Sequence, residues 1–372
     1  MDALFPFGFP WPTAMYLSLF VITATIYVLF MNYVLAGAIV LLVTYLAPGA
    51  RRRADGEPGK SASGLGQIAR VIRDWLPAVL GLAITTGIAP LLFLQILYKR
   101  QFYTANLLLF NRFMLLLPAL IVAYYMLYLI KSHLLLGKWT ILRGSAAVVA
   151  LACVLYTAWA WTENHVLSLH EETWTTFYSL HPYIYRNSEI SPRLGYWITA
   201  SFTTLALAVS WQLHWGRRYL EVANLDRATR RLRSLAILGL AMSAVEAFLW
   251  AGWLDPRALD AVEGSLALPY GFAAIIGVVI QAGGWLTTTN AAQLSTVRLA
   301  IISAGNVLTV LGAIVVREAR RLAAIDITQL YDTHRHAAEV GGISVFLVFF
   351  ALNAAVIAGC VLIVKRALRP IT

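Results

Sequence analysis

Charge is scarce in this chain. Only 13% of its 372 residues are Asp, Glu, Lys or Arg, against about 25% in soluble domains. There are two cysteines, Cys153 and Cys360, both inside apolar blocks. No C-x-x-C pair or C-x-x-C-H haem-attachment motif is present, so cysteine says nothing of the redox compartment. Also missing are a P-loop, H-E-x-x-H, G-x-S-x-G and a dinucleotide fingerprint, along with the chemistries those motifs carry. No internal repeat, low-complexity tract or soluble domain stands out. The one linker-like stretch is the polar, Gly/Ser-containing segment 54–66.

What is present is apolar sequence, 60% of the residues, in long uncharged blocks. A block of roughly 18 residues or more spans a bilayer as a helix. The blocks predict an all-α, polytopic membrane helix bundle, a single integral membrane domain over 1–372. About nine spans are expected, near 13–46, 75–98, 108–130, 140–162, 195–215, 233–253, 268–286, 297–316 and 342–364. In lipid every backbone amide must pair within its own segment, and the alternating segments of a barrel are lacking. At about 1.5 Å per residue the first block outruns a core of roughly 30 Å, so it must tilt, bend or project, and Gly37 is one place to adjust. The start, MDALFPFGFPWPT, has an acid and no basic n-region, and reads as retained with Trp11 at the interface.

Orientation follows from Lys/Arg bias. Arg51, Arg52, Arg53, Lys60, Arg70 and Arg73 crowd a flexible loop at about 50–72. Arg217, Arg218, Arg227, Arg230, Arg231 and Arg233 follow span five. Both belong in the cytoplasm, which puts the N-terminus outside, the C-terminus inside, and loops at about 163–194 and 317–341 on the outer face. Trp75, Trp139, Trp211, Trp215 and Trp285 then fall at inner helix ends, with Trp159, Trp161, Trp197, Trp250 and Trp253 at outer ends, as an aromatic belt requires. The net charge of +11 is thus a topology signal and a contact with membrane lipids, not a nucleic-acid surface. A multi-pass protein of the bacterial inner membrane is expected.

Two stretches resemble one family. Thr13-Ala14-Met15-Tyr16-Leu17-Ser18-Leu19-Phe20 is similar to the opening of the quinol-oxidising subunit of cytochrome bd oxidases. Gly87-Ile88-Ala89-Pro90 through Phe93-Leu94-Gln95 to Phe102-Tyr103 looks like that subunit's second hairpin. The resemblance covers the first four or five helices, and nine helices with an outer N-terminus would match it. It also implies what this chain lacks. The family places a haem-ligating histidine after the Met-Tyr pair, where this chain has Leu17. The family's histidine at the outer end of helix five has no counterpart in Arg193-Leu194-Gly195-Tyr196-Trp197. The third-helix carboxylates are absent from 113–130, and the long quinol-binding loop is replaced by a short one at about 254–267. Haem iron needs an axial His, Met, Cys or Tyr, so haem is expected only on partner subunits, and any cofactor of this chain would be a quinone.

The candidate residues follow. Glu246 is the one acidic residue deep in a span, which makes it a proton-relay or quinone candidate with Gln281 and Asn306 as polar partners, although helix-to-helix bonding explains such residues equally. Lys99, Arg100 and Arg112, with Tyr103, bracket an outer turn able to hold a lipid or quinone head group, or simply snorkel. His165, His170 and His181 share an outer loop with Glu171, Glu172 and Glu189, but the spacing of His165 and His170 is neither i+3 nor i+4, so no metal is expected there. His334 and His336, at i, i+2, would face one way only in an extended strand. The run Arg317-Glu318-Ala319-Arg320-Arg321 breaks the charge rule and would continue helix eight into an amphipathic turn for headgroups or a partner. Trp174, Phe177, Tyr183, Tyr185, Arg320 and Arg335 are of the types that anchor interfaces. The expectation is a haem-free, bd-like subunit of a respiratory electron-transfer complex, docking other membrane subunits and an outer-face cytochrome rather than performing catalysis itself. A transporter or channel using Glu246 is the alternative.

Overall fold

The computed structural model describes residues 4–46, 64–132, 140–180, 182, 184–216, 225–254 and 256–340, and scattered helical residues between 344 and 362. All its regular structure is helical. Thirteen helices follow in order: α1 Trp11–Leu46, α2 Gly64–Leu97, α3 Lys99–Leu108, α4 Phe110–Met114, α5 Leu116–Lys131, α6 Thr140–Leu169, α7 Trp174–Leu180, α8 Ile190–Gly216, α9 Leu225–Gly252, α10 Pro256–Glu263, α11 Leu268–Leu286, α12 Thr296–Ala324 and α13 Tyr331–Glu339. Among the described residues seven helical segments are long and apolar enough to cross a membrane, so the chain is a multi-pass helical membrane protein. They correspond to the expected spans other than the fifth and the ninth. The fifth is α8, a 27-residue helix whose buried side carries Ser201, Thr203, Thr204 and Ser210. The ninth is described only in scattered helical residues between 344 and 362.

Consecutive helices pair as hairpins, α1 with α2, α5 with α6, α8 with α9 and α11 with α12. Helix α1 is the hub, and it also touches α6, α8, α12 and α13. Its 36 residues are apolar on every side, the pattern of a helix enclosed by others. Three of its buried hydroxyls are satisfied within the helix, where Thr23 donates to Leu19 O (2.7 Å), Thr25 to Val21 O (2.7 Å) and Thr44 to Val40 O (2.7 Å).

Several expected boundaries shift, each for a packing reason. Helix α2 begins at Gly64, inside the segment expected to be a loop, because Ile68, Ala69, Val71, Ile72 and Leu76 pack into the core. A Cβ on Gly37 would lie 2.9 Å from Leu76 Cδ1 and 3.2 Å from Ile72 Cγ2, so Gly37 serves close approach of α2 within an unbroken helix. The turn at Lys99–Leu108 is a helix. Helix α6 runs on to Leu169, and α12 runs on to Ala324. These two extensions build the site.

Between α11 and α12 the backbones nearly touch. A Cβ on Gly277 would lie 2.5 Å from Gly305 O and from Thr309 Oγ1, and one on Gly305 would lie 2.9 Å from Gly277 O. In lipid, where burying apolar surface drives nothing, small residues that admit such packing hold helices together.

Candidate functional site

The end of the bundle holding the N-terminus of α1, here called the upper end, contains a buried charged network. It grows from the last turns of α12. Arg317, Glu318, Arg320 and Arg321 follow an apolar helix, yet Glu318 is wholly buried and Arg320 and Arg321 are nearly so. Glu318 accepts from Arg321 Nη1 at 3.0 and 3.1 Å and from the Tyr98 hydroxyl at 3.0 Å. The Arg321 guanidinium lies over the Tyr98 ring, 4.7 Å from its centroid, and its other nitrogen bonds His165 Nδ1. Arg320 Nη2 donates to Glu189 Oε1 and its Nη1 stands against Oε2 as an ion pair, a charge-assisted contact stronger than a neutral one.

Glu189 is shared. Arg193 Nη2 stands 3.4 Å from it and His170 Nε2 3.9 Å, while His170 Nδ1 contacts Glu172 at 3.0 Å. The neighbouring Glu189 carboxylate raises the His170 pKa against its burial. Burial pushes Glu189 up, but His170 and Arg320 outweigh it and the net shift is down. Nearby, buried Glu163 pairs with Arg112 and accepts Tyr185 N at 2.7 Å. Arg112 in turn lies 5.0 Å over the Trp159 ring. Among the described residues, four largely buried arginines (112, 193, 320 and 321) face three buried carboxylates (163, 189 and 318), and Arg317 adds a half-exposed fifth cation. The upper end therefore carries an excess of buried positive charge.

His334 closes the cap. Thr13 Oγ1 lies 2.8 Å from its Nδ1, and its Nε2 lies 3.1 Å from Leu97 O. A carbonyl only accepts, so Nε2 carries the proton and Nδ1 accepts from Thr13, the tautomer being assigned from its partners. The ring is wholly buried, and burial lowers its pKa. With the folded value below the unfolded one, the unfolded chain binds protons first, so the contribution of His334 is full above about pH 6.5 and is lost as pH falls. The stability difference between the wild type and His334→Phe, read as detergent-solubilised melting temperature, should shrink from pH 8 to pH 5. A constant difference would show that the ring is not held neutral.

The structure separates several residues that the sequence grouped. Glu246 is half-buried on α9 with its carboxylate against Gly195 of α8, whose Cβ would lie 2.7 Å from Glu246 Cδ. Gln281 is not its partner. The Gln281 oxygen accepts from Thr203 (3.0 Å) and Asn306 (3.1 Å), and its nitrogen donates to Thr309 (2.9 Å) and Gly277 O (3.3 Å). Asn306 continues through Thr204 and Asn32 to Trp197. Gln281 thus joins helices and has no bonding capacity left for a quinone.

Lys99, Arg100, Tyr103 and Arg112 do not converge. Lys99 is exposed, Arg100 pairs with Glu171 at 3.2 Å, Tyr103 donates to Gln95 at 3.3 Å, and Arg112 turns inward to Glu163. Of the docking candidates, Phe177 and Tyr185 are buried against each other with centroids 5.8 Å apart, and Arg320 is committed to Glu189, so none of the three faces outward. Trp174 is half-buried and donates to Leu167 O at 2.9 Å. Arg335 is exposed beside Asp332 and Glu339. Tyr183 and His181 lie outside the described residues. His165 and His170 serve different partners, and among the described residues no three of His, Cys, Asp and Glu gather as a metal site. On helical α13, His334 points inward and His336 outward.

The sequence reading missed Glu163 as a site residue, and it grouped Glu189, Glu318 and Tyr98 largely with other neighbours than those they bond. One local signal was present, the i, i+3 pair of Glu318 and Arg321. Compared with known proteins, the chain matches no family, no curated sequence and no solved structure.

Proposed function

We propose that this chain is a haem-free subunit of a respiratory electron-transfer complex in a bacterial inner membrane, similar in fold to the quinol-oxidising subunit of cytochrome bd oxidases, and that its upper end docks a partner. The reading keeps nine spans with the N-terminus outside, since the two most basic loops then face the cytoplasm. The observation that carries it is the cap. Loops that sequence alone leaves loose are tied down by buried ion pairs into a firm platform, from which Tyr178, Leu180 and Ile184 project. Aromatic and large aliphatic groups on a preorganised surface suit an interface. They replace Phe177 and Tyr185 in that role.

Haem does not fit the residues where the resemblance would put it. Leu17 is fully buried among Tyr16, Phe20, Phe93, Tyr98 and Ile314, and leucine offers iron no ligand. His334, one turn away across the interface with Thr13, has both ring nitrogens engaged.

Purification from native membranes in mild detergent should yield this chain together with haem-bearing subunits, while the isolated chain shows no Soret band. Reporter fusions should place residues 60 and 225 in the cytoplasm and 180 and 330 outside. A chain that runs alone, or a stoichiometric b-type spectrum from it, would overturn the reading. A second reading, a transporter, rests on the Glu246 carboxylate, which has no hydrogen-bond or ion-pair partner among the described residues. Substrate flux in vesicles that Glu246→Gln abolishes would favour it.

A further inference from the structure

A groove of about 500 Å³ opens between the upper ends of α6 and α8, within the range of about 300–1,000 Å³ typical of small-molecule sites. Its lining combines apolar Trp159, Ile190 and Leu194 with polar Arg186, Ser188 and Ser191. Among the described residues no carboxylate lines it. We propose that this groove binds an anionic phospholipid, with its phosphate at Arg186 and the two serines and its acyl region along Trp159 and Leu194.

Three observations lead there. The first is charge. The wall is backed by the network in which buried arginines outnumber carboxylates, and Arg112 sits over the Trp159 ring that lines the groove. Low-dielectric surroundings extend the reach of such a field and favour an anion at the rim. The second is depth. Trp159 lies ten residues before the end of α6 at Leu169, about 15 Å down at 1.5 Å per residue. The groove therefore runs from the polar cap into the level of the spans, and its occupant needs a charged head and a long apolar body. The third is preorganisation. The rim is held by Tyr185 N on Glu163 (2.7 Å), by Glu189 N on Asn187 Oδ1 (2.9 Å) and by Ile190 N on Asn187 O (3.3 Å), so little ordering remains to oppose binding.

The full chain, delipidated in detergent, can be titrated with phosphatidylglycerol, phosphatidylcholine or inorganic phosphate and read by native mass spectrometry. One phosphatidylglycerol per chain should bind several-fold more tightly than phosphatidylcholine. Arg186→Gln combined with Ser191→Ala should weaken it about tenfold, whereas Lys99→Gln, an exposed cation elsewhere, should not. Arg186 and Ser191 are exposed, so an unchanged melting temperature would confirm that the double variant folds. Competition by millimolar inorganic phosphate would reassign the site to a free anion. Equal affinity for the two lipids, undiminished binding by the double variant, or displacement by a quinone would overturn the proposal.

Discussion

Replacing Glu318 by alanine should destabilise the protein by about 3–5 kcal/mol, the usual cost of leaving one member of a buried ion pair alone. Glu318 is wholly buried and is the carboxylate that Arg321 and the Tyr98 hydroxyl both use. Its loss strands a buried guanidinium and a phenol from an element 220 residues away. The measurement is thermal unfolding in detergent, supported by the yield of folded protein. Glu318→Gln should do less harm, because its amide oxygen still accepts from Tyr98. A double change of Glu318 and Arg321 to Leu and Met should recover much of the loss, because well-packed apolar groups often replace a buried pair at little cost. If Glu318→Ala melted like the wild type, the network would be ornamental and the cap would need another explanation.

The second large effect should come from Gly277 and Gly312. A methyl at Gly277 would stand 2.5 Å from Gly305 O, and one at Gly312 would collide with Tyr270 O. Both obstacles are main-chain atoms of a regular helix and cannot swing aside. Gly277→Ala should therefore cost about 1–3 kcal/mol, the range for overpacking, and Gly277→Leu should part α11 from α12. By contrast Gly283→Ala, where nothing lies within 4 Å, should be neutral. Equal melting temperatures for the alanine variants at 277 and 283 would refute the close-packed interface.

How much of this was legible follows from where each signal resides. Apolar block length is local, so the seventh span was read at the bounds that α11 adopts, with Pro269 in its first turn. Charge misled the reading at the ends. Glu163 ended the fourth apolar block, yet its helix continues, because Glu163 is paired across the bundle with Arg112. Helix α12 continues past Arg317 as expected, but with its charges buried in ion pairs rather than presented as an amphipathic turn. Hydropathy assigns a cost to each residue alone and cannot see a counter-ion 131 residues distant, as Arg320 is from Glu189. The same blindness made Arg320, Phe177 and Tyr185 look like surface groups. It also paired Gln281 with Glu246, since two polar residues in apolar surroundings invite each other on paper. In the folded chain Gln281 finds Thr203, Asn306 and Thr309 instead.

The span of the Glu189–Arg320 pair also has a meaning in time. A ribosome adds roughly 5–20 residues per second, so Glu189 emerges roughly 7–26 s before the arginine that will neutralise it, 131 residues later. Over that interval α8 to α11 and most of α12 are made, while the carboxylate has only His170 and Arg193 beside it. The last turns of α12 thus act as a clasp that shuts only once they have been made. A nascent chain stalled before Arg320 would keep the Arg112–Glu163 pair but lack the Arg320–Glu189 and Arg321–Glu318 pairs, and should be cut at its upper end faster than the full chain by an added protease.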